Sequence, residues 1–194
     1  MGRRRGRTTE RERGQALIEF ALVLPVFLLL MFGVVEFGVL FNAAVTVNFV
    51  SRVAAVLAAE GGRTEGSDCM VLRAIERDTI SPATPLRIAT VEIYWSDTNG
   101  DQIASSVNVY TRTGSLTCTY AGGSITVPYT LSTEGYPAAQ RCDVLAGCGG
   151  LHATVDDIGV RITYTHQWVT RFGQTIARSI TFLRSTAVRM EPTL

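Results

Sequence analysis

Between Phe20 and Val35 sixteen consecutive residues, FALVLPVFLLLMFGVV, carry no charge. A run this apolar belongs in lipid or in the middle of a protein core. After Glu36 the character resumes with FGVLF. Taken as one helix, Phe20 to Phe41 spans roughly 33 Å at about 1.5 Å per residue, enough to cross a bilayer core. The sixteen residues alone give only about 24 Å, so Glu36 is expected near the far interface or in a protein contact. Whatever else the chain does, it folds around this segment.

The charge distribution gives the segment a direction. Six of the eighteen cationic residues (Arg3, Arg4, Arg5, Arg7, Arg11 and Arg13) precede the run, opposed there only by Glu10 and Glu12. Cations just before a hydrophobic span stay in the cytoplasm. The N-terminus is therefore expected inside and residues beyond about 45 outside, in a single-pass arrangement at the cell (inner or cytoplasmic) membrane. From Gln15 onward twelve Arg face fifteen acids, a formal −3, and the whole chain sums to +1. Such a balance argues against a nucleic-acid partner.

A secretory signal peptide shares the basic start and the apolar run, but breaks off at a small-residue cleavage site. Here the pattern continues through NAAVTVNFVSRVAAVLAAE to Glu60, with neither Gly nor Pro between Val39 and Glu60. Ala43, Val47, Val50, Ala54 and Leu57 recur at four-three-four-three spacing, a seam that packs against another helix or a sheet. Gly61 and Gly62 then stop the helix. The sequence predicts one helix over 15–60, its membrane part about 16–41, with Pro25 able to bend its first turns.

Glu19 is out of place in a plain anchor, because a carboxylate in the apolar core costs roughly 2.5–3.5 kcal/mol. One reading puts it in the cytoplasmic interface, paired with Arg13. Its neighbours supply another. The run Arg13-Gly14-Gln15-Ala16-Leu17-Ile18-Glu19-Phe20 resembles the processing site of type IV pilins and pseudopilins, and RGQALIEFALVLPVFLLLMFGVVEFG resembles the N-terminus of the TadE family of Tad-pilus (type IVc) pseudopilins. The closing STAVRMEP, Ser185 to Pro192, and the stretch IGVRITYTHQW, Ile158 to Trp168, are similar to the same family's C-terminal part. The resemblance implies a minor pilin or pseudopilin cut by a prepilin peptidase between Gly14 and Gln15. It implies Glu19, beside Phe20, as the residue that sets subunit register. Implied partners are the peptidase, other pilin subunits, the assembly platform and the lipid bilayer. From another class, an uncleaved membrane-anchored binding module of the cell surface fits the same anchor.

The exported part, 61–194, reads as α+β with an antiparallel sheet. Ser67 or Asp68 caps a short helix to about Ile80, with Val71, Ile75 and Thr79 along one side. Leu86–Trp95 is a strand, followed by a loop at 96–101. Val107–Tyr110, Leu116–Tyr120 and Ser124–Leu131 are further strands. Val160, Ile162, Tyr164, His166 and Trp168 share one face of a late strand, which Phe172-Gly173-Gln174 turns into a return over Thr175–Met190. That hairpin is expected to pack on the projecting helix. The middle, Asp101 to Ala153, carries no motif.

Four cysteines, Cys69, Cys118, Cys142 and Cys148, suit disulfides in an oxidising compartment, and three full pairings are open. Gly147, Gly149 and Gly150 let Cys142 and Cys148 close a small loop. With no CxxC pair or His cluster, zinc is not expected. Asp97, Asn99 and Asp101 alternate like a calcium loop, but position twelve falls on Asn108 instead of Glu, so an Asn-Gly turn is favoured. His166 reads as a packed strand residue. His152, near Asp156 and Asp157, could be imagined in a triad, but the two Asp read as a solvated turn and no nucleophile motif accompanies them. Neither catalysis nor a cofactor is expected.

Overall fold

A computed structural model describes residues 6–148 and 152–190. Arg3 to Arg5, Gly149-Gly150 beside Cys148, and the Glu191-Pro192 of the closing motif lie outside the described residues.

The chain begins as one helix, α1 (Gly6–Gly61). At about 1.5 Å per residue its 56 residues make a rod of about 84 Å. It starts inside the arginine-rich leader, earlier than the expected residue 15, because nothing between Gly6 and Gln15 breaks a helix. Pro25 is accommodated within it. The part from Gly14 to Gly61 is long and apolar enough to cross a membrane. Gly62, at φ +50°, reverses the chain and its N–H closes on the Ala58 carbonyl at 3.2 Å.

Next comes α2 (Ser67–Asp78), which packs against α1. Its cap is not Ser67 or Asp68 but Gly66, in the left-handed region at φ +77°. Both expected caps are engaged elsewhere: Ser67 Oγ accepts from Arg141, and Asp68 accepts from Asn108 and Tyr110. The helix ends at Asp78, and the Thr79 N–H and hydroxyl both return to the Ile75 carbonyl. Val71, Ile75 and Thr79 face the core as expected.

Five strands form one antiparallel sheet in the order β5-β2-β1-β6-β7: β1 (Ile88–Ser96), β2 (Gln102–Thr111), β5 (Thr130–Glu134), β6 (Asp157–Gln167) and β7 (Ser179–Arg189). A separate two-stranded ribbon holds β3 (Leu116–Tyr120) and β4 (Gly123–Val127). The single strand expected over Ser124–Leu131 is thus two strands in different sheets. Pro128 has no N–H to continue a ladder, and the buried Tyr129 turns the chain between them. A 3-10 turn at Pro85–Arg87 delays β1 to Ile88. The turn expected at Phe172-Gly173-Gln174 is a short helix, α3 (Arg171–Ile176), capped by the Thr170 hydroxyl.

Core packing follows the two periodicities. Ala43, Val47, Val50 and Ala54 of α1 are buried, with Leu57 packed beside them. Val160, Ile162, Tyr164 and His166 of β6 alternate inward, and Trp168 just beyond is also buried. The hairpin β6–β7 lies directly on α1. Cys69 is bonded to Cys118, fastening α2 to the ribbon, and Cys142 to Cys148, closing a small loop.

Candidate functional site

The rod divides at Glu36. Below it, large apolar side chains point outward with nothing of the chain over them: Leu17, Ile18, Phe20, Leu22, Val26 and Val34 are all more than half exposed. Above it, the same helix is the spine of the domain. A soluble fold would cover the lower half, since an apolar surface of that extent is a contact surface.

At the lower end Gly14, Gln15, Glu19 and Phe20 lie on continuous, exposed helix. The Gln15 side-chain amide donates to Glu19 Oε1 at 3.0 Å, a pair four residues apart on one face. The alternative pairing of Glu19 with Arg13 falls outside the described side chains. A Cβ added at Gly14 would meet no atom within 4 Å, and the same holds for Gly33 and Gly38. Each glycine in a helix interior costs about 1 kcal/mol relative to Ala. Packing within the chain does not call for these three.

At the upper end Glu36 is only 2% exposed. Its Oε2 accepts the Val169 N–H at 2.9 Å and its Oε1 accepts the Thr170 N–H. Thr170 in turn caps α3, accepting from the Gly173 N–H. Phe37 meets Trp168 edge-on at 6.1 Å between ring centres, and Trp168 meets His166 at 5.7 Å. Of the two places expected for Glu36, the structure selects the protein contact. Two turns higher, at Ala43, the seam begins, and further up Ser51 Oγ lies 3.2 Å from Thr186 Oγ1 of β7. The domain is therefore clamped to the rod from residue 36 upward.

His166 is fully buried beside this clamp, on the packed face expected of it. Burial, helped by the nearby Arg87 charge, holds its pKa below the ordinary value of 6.5, with Glu36 pulling the other way.

The remaining chemical candidates lie in hydrogen-bond networks within the domain. His152 Nδ1 lies 2.6 Å from Asp156 Oδ1, and the imidazole stacks on Trp95 at 4.0 Å. Asp156 also accepts from the Tyr136 hydroxyl at 2.6 Å and the Cys142 N–H at 2.9 Å. The expectation of a solvated Asp156-Asp157 turn is corrected here: Asp156 is 1% exposed, because those donors draw it in. Its carboxylate ties the middle segment to the foot of β6. Arg141, which the sequence did not single out, is wholly buried at 2.7 Å from Asp68 and also donates to Ser67 and the Tyr136 carbonyl. The only signal for it was a charge set between Tyr136 and Cys142 in a stretch otherwise free of basic residues. Asp97 Oδ1 accepts the N–H groups of Asn99 and Asp101, which hold its carboxyl below the ordinary range. Asn108, counted as position twelve of a calcium loop, is instead buried, bonded to Asp68 and the Tyr136 backbone. Among the described residues no group of three or more His, Cys, Asp or Glu is placed to hold a metal.

Compared with known proteins, residues 14–56 match the model of the family described as TadE-like protein. The match starts at Gly14 and covers the exposed half of the rod and most of the seam. No curated protein and no solved structure matches the chain.

Proposed function

Taking residues 14–56 as the TadE-like segment of this chain, we propose that the protein is a minor pilin or pseudopilin acting in assembly of a Tad-type pilus. It is made as a single-pass membrane precursor, N-terminus in the cytoplasm and 61–194 outside, and a prepilin peptidase cuts it between Gly14 and Gln15. Its work is mechanical: it binds other pilin subunits and the assembly platform, and it catalyses nothing.

The observation that carries this reading is the family match lying on a helix whose lower half is apolar and uncovered. Lipid covers such a surface before assembly, and neighbouring pilin helices cover it afterwards. Gly33 and Gly38, unneeded within the chain, suit the close approach of a second helix. Gly14 suits a tight protease subsite for the same reason.

Glu19 has a role in this scheme. Cleavage removes the leader arginines and leaves a positive amine on Gln15, one turn below the Glu19 carboxylate. In lipid or in a bundle of helices an unpaired charge is penalised, so an amine–carboxylate pair, within one chain or between two, favours a single register.

Fractionation tests it. Pili sheared from cells, and assembly complexes extracted from their membranes, should contain the chain. Glu19→Ala should lower its amount there by about tenfold, the worth of one charged hydrogen bond, while its total membrane level stays unchanged. Absence of the native chain from both fractions contradicts the proposal, and indifference to Glu19→Ala removes Glu19 from it.

A further inference from the structure

The end of the domain nearest the membrane has a charge pattern that its other end lacks. Height along the rod is set by contacts: Glu36 touches Val169 and Thr170, and Ser51 touches Thr186. The 3-10 turn joins that lower end, since Arg87 Nη1 donates to the Gln167 carbonyl. Residues 79–91 and 158–190 contain no Asp or Glu at all. They bring Arg87, Arg171, Arg178 and Arg184 to this end, and among the described residues none of these four is in an ion pair. The upper end instead carries six acids, Glu60, Glu65, Asp97, Asp101, Asp143 and Asp157, against Arg63 and Arg189.

Into the basic end opens an apolar groove of about 520 Å³ between α1 and the edge strand β7. Phe37, Leu40, Phe41 and Ala44 form one wall, Phe182 and Arg184 part of the other. The order along the groove matters. Because β7 rises beside α1, Phe182 is lower and Arg184 higher, its guanidinium 5.5 Å from the Phe182 ring centre. The domain begins at the level of the Glu36 contact, so Phe37 stands at its lower edge and Ala44 about 10 Å above it. The groove is thus greasy where it joins the lipid and cationic where headgroups lie.

We propose that this groove holds one anionic phospholipid from the outward-facing leaflet of the membrane that α1 crosses, an acyl chain against Phe37, Phe41 and Phe182 and the phosphate on Arg184. Continuity with the exposed helix face below gives the tail its path. With four arginines against the one buried carboxylate of Glu36, this end selects a headgroup of net negative charge over a zwitterionic one. Assembly into a fibre would have to exchange this lipid for a neighbouring subunit. The inference rests on the membrane anchoring proposed above and not on the pilus role.

The full chain, reconstituted in nanodiscs of equal phosphatidylglycerol and phosphatidylethanolamine and then released into mild detergent, is examined by native mass spectrometry. One phosphatidylglycerol is expected to stay bound per chain in preference to phosphatidylethanolamine. Arg184→Gln should reduce that adduct by about tenfold, and Ala44→Phe, which fills the groove without touching a charge, should remove it. Circular dichroism should be unchanged in both. An adduct of equal strength in either folded variant, equal retention of the two lipids, no adduct, or a lipid-free dimer with the groove covered by a second copy overturns the proposal. A chain that never enters the nanodiscs overturns the anchoring as well, and is told apart from a reconstituted chain that keeps no lipid.

Discussion

Two glutamates sit at the two ends of one apolar run, and their surroundings assign them opposite tasks. Glu19 is exposed on bare helix, bonded among the described residues to the Gln15 amide, and in the proposed scheme its further partners lie in other subunits. Glu36 is buried and spends both oxygens on the N–H groups of Val169 and Thr170. Glu36→Ala should therefore destabilise the domain by about 1–3 kcal/mol, because it strands two buried donors. Urea unfolding in detergent measures this, and Glu19→Ala should leave the midpoint where it was. A second residue-scale prediction concerns acid. His166 is held neutral below its ordinary 6.5 by burial, so the unfolded chain binds a proton that the folded one does not. Stability should accordingly fall as pH drops below about 6.5, and His166→Gln should flatten that fall. The anomaly of Glu36 was legible in the sequence as a charge in a hydrophobic run. Its partners were not, being 133 and 134 residues away. Arg141 and Asp156 were illegible for the same reason: local polarity suggests solvent, and only distant donors and acceptors draw them inside.

Among the elements, those governed by a period were readable. The seam from Ala43 to Leu57 and the alternation from Val160 to Trp168 each name the buried face, and the two faces meet in the fold. Elements shaped by a single bond were not. Pro128 splits one expected strand into two, Gly66 displaces Ser67 and Asp68 as a cap, and the Thr170 hydroxyl winds an expected turn into α3. The seam yields a paired test. Ala54→Leu should cost about 1–3 kcal/mol by overpacking, whereas Val56→Leu on the exposed side of the same turn should stay within about 0.5 kcal/mol. The disulfides yield another. Cys69 and Cys118 are 49 residues apart and Cys142 and Cys148 only 6. Loop-closure entropy then assigns about 4 kcal/mol to the first and about 2 kcal/mol to the second. Thermal unfolding of the two double Cys→Ser variants should rank them in that order, and the reverse ranking would show that loop entropy is not what separates them.

At the scale of the molecule, one helix does two jobs: its lower half presents apolar surface outward, and its upper half is the spine on which sheet, second helix and ribbon are assembled. The clamp at Glu36 divides them. That division explains why the anchor could be read directly while the domain's middle, residues 101–153, could not. A bilayer imposes a length and a composition on any sequence that crosses it. The β ribbon and its neighbours answer only to contacts particular to this chain. The measurement to make is the intact mass of the protein extracted from the membranes of cells that express it with a prepilin peptidase. A chain beginning at Gln15, still carrying its hydrophobic helix, is the expected result. A membrane-bound chain that keeps its leader under those conditions, or a soluble product starting beyond residue 35, would contradict it.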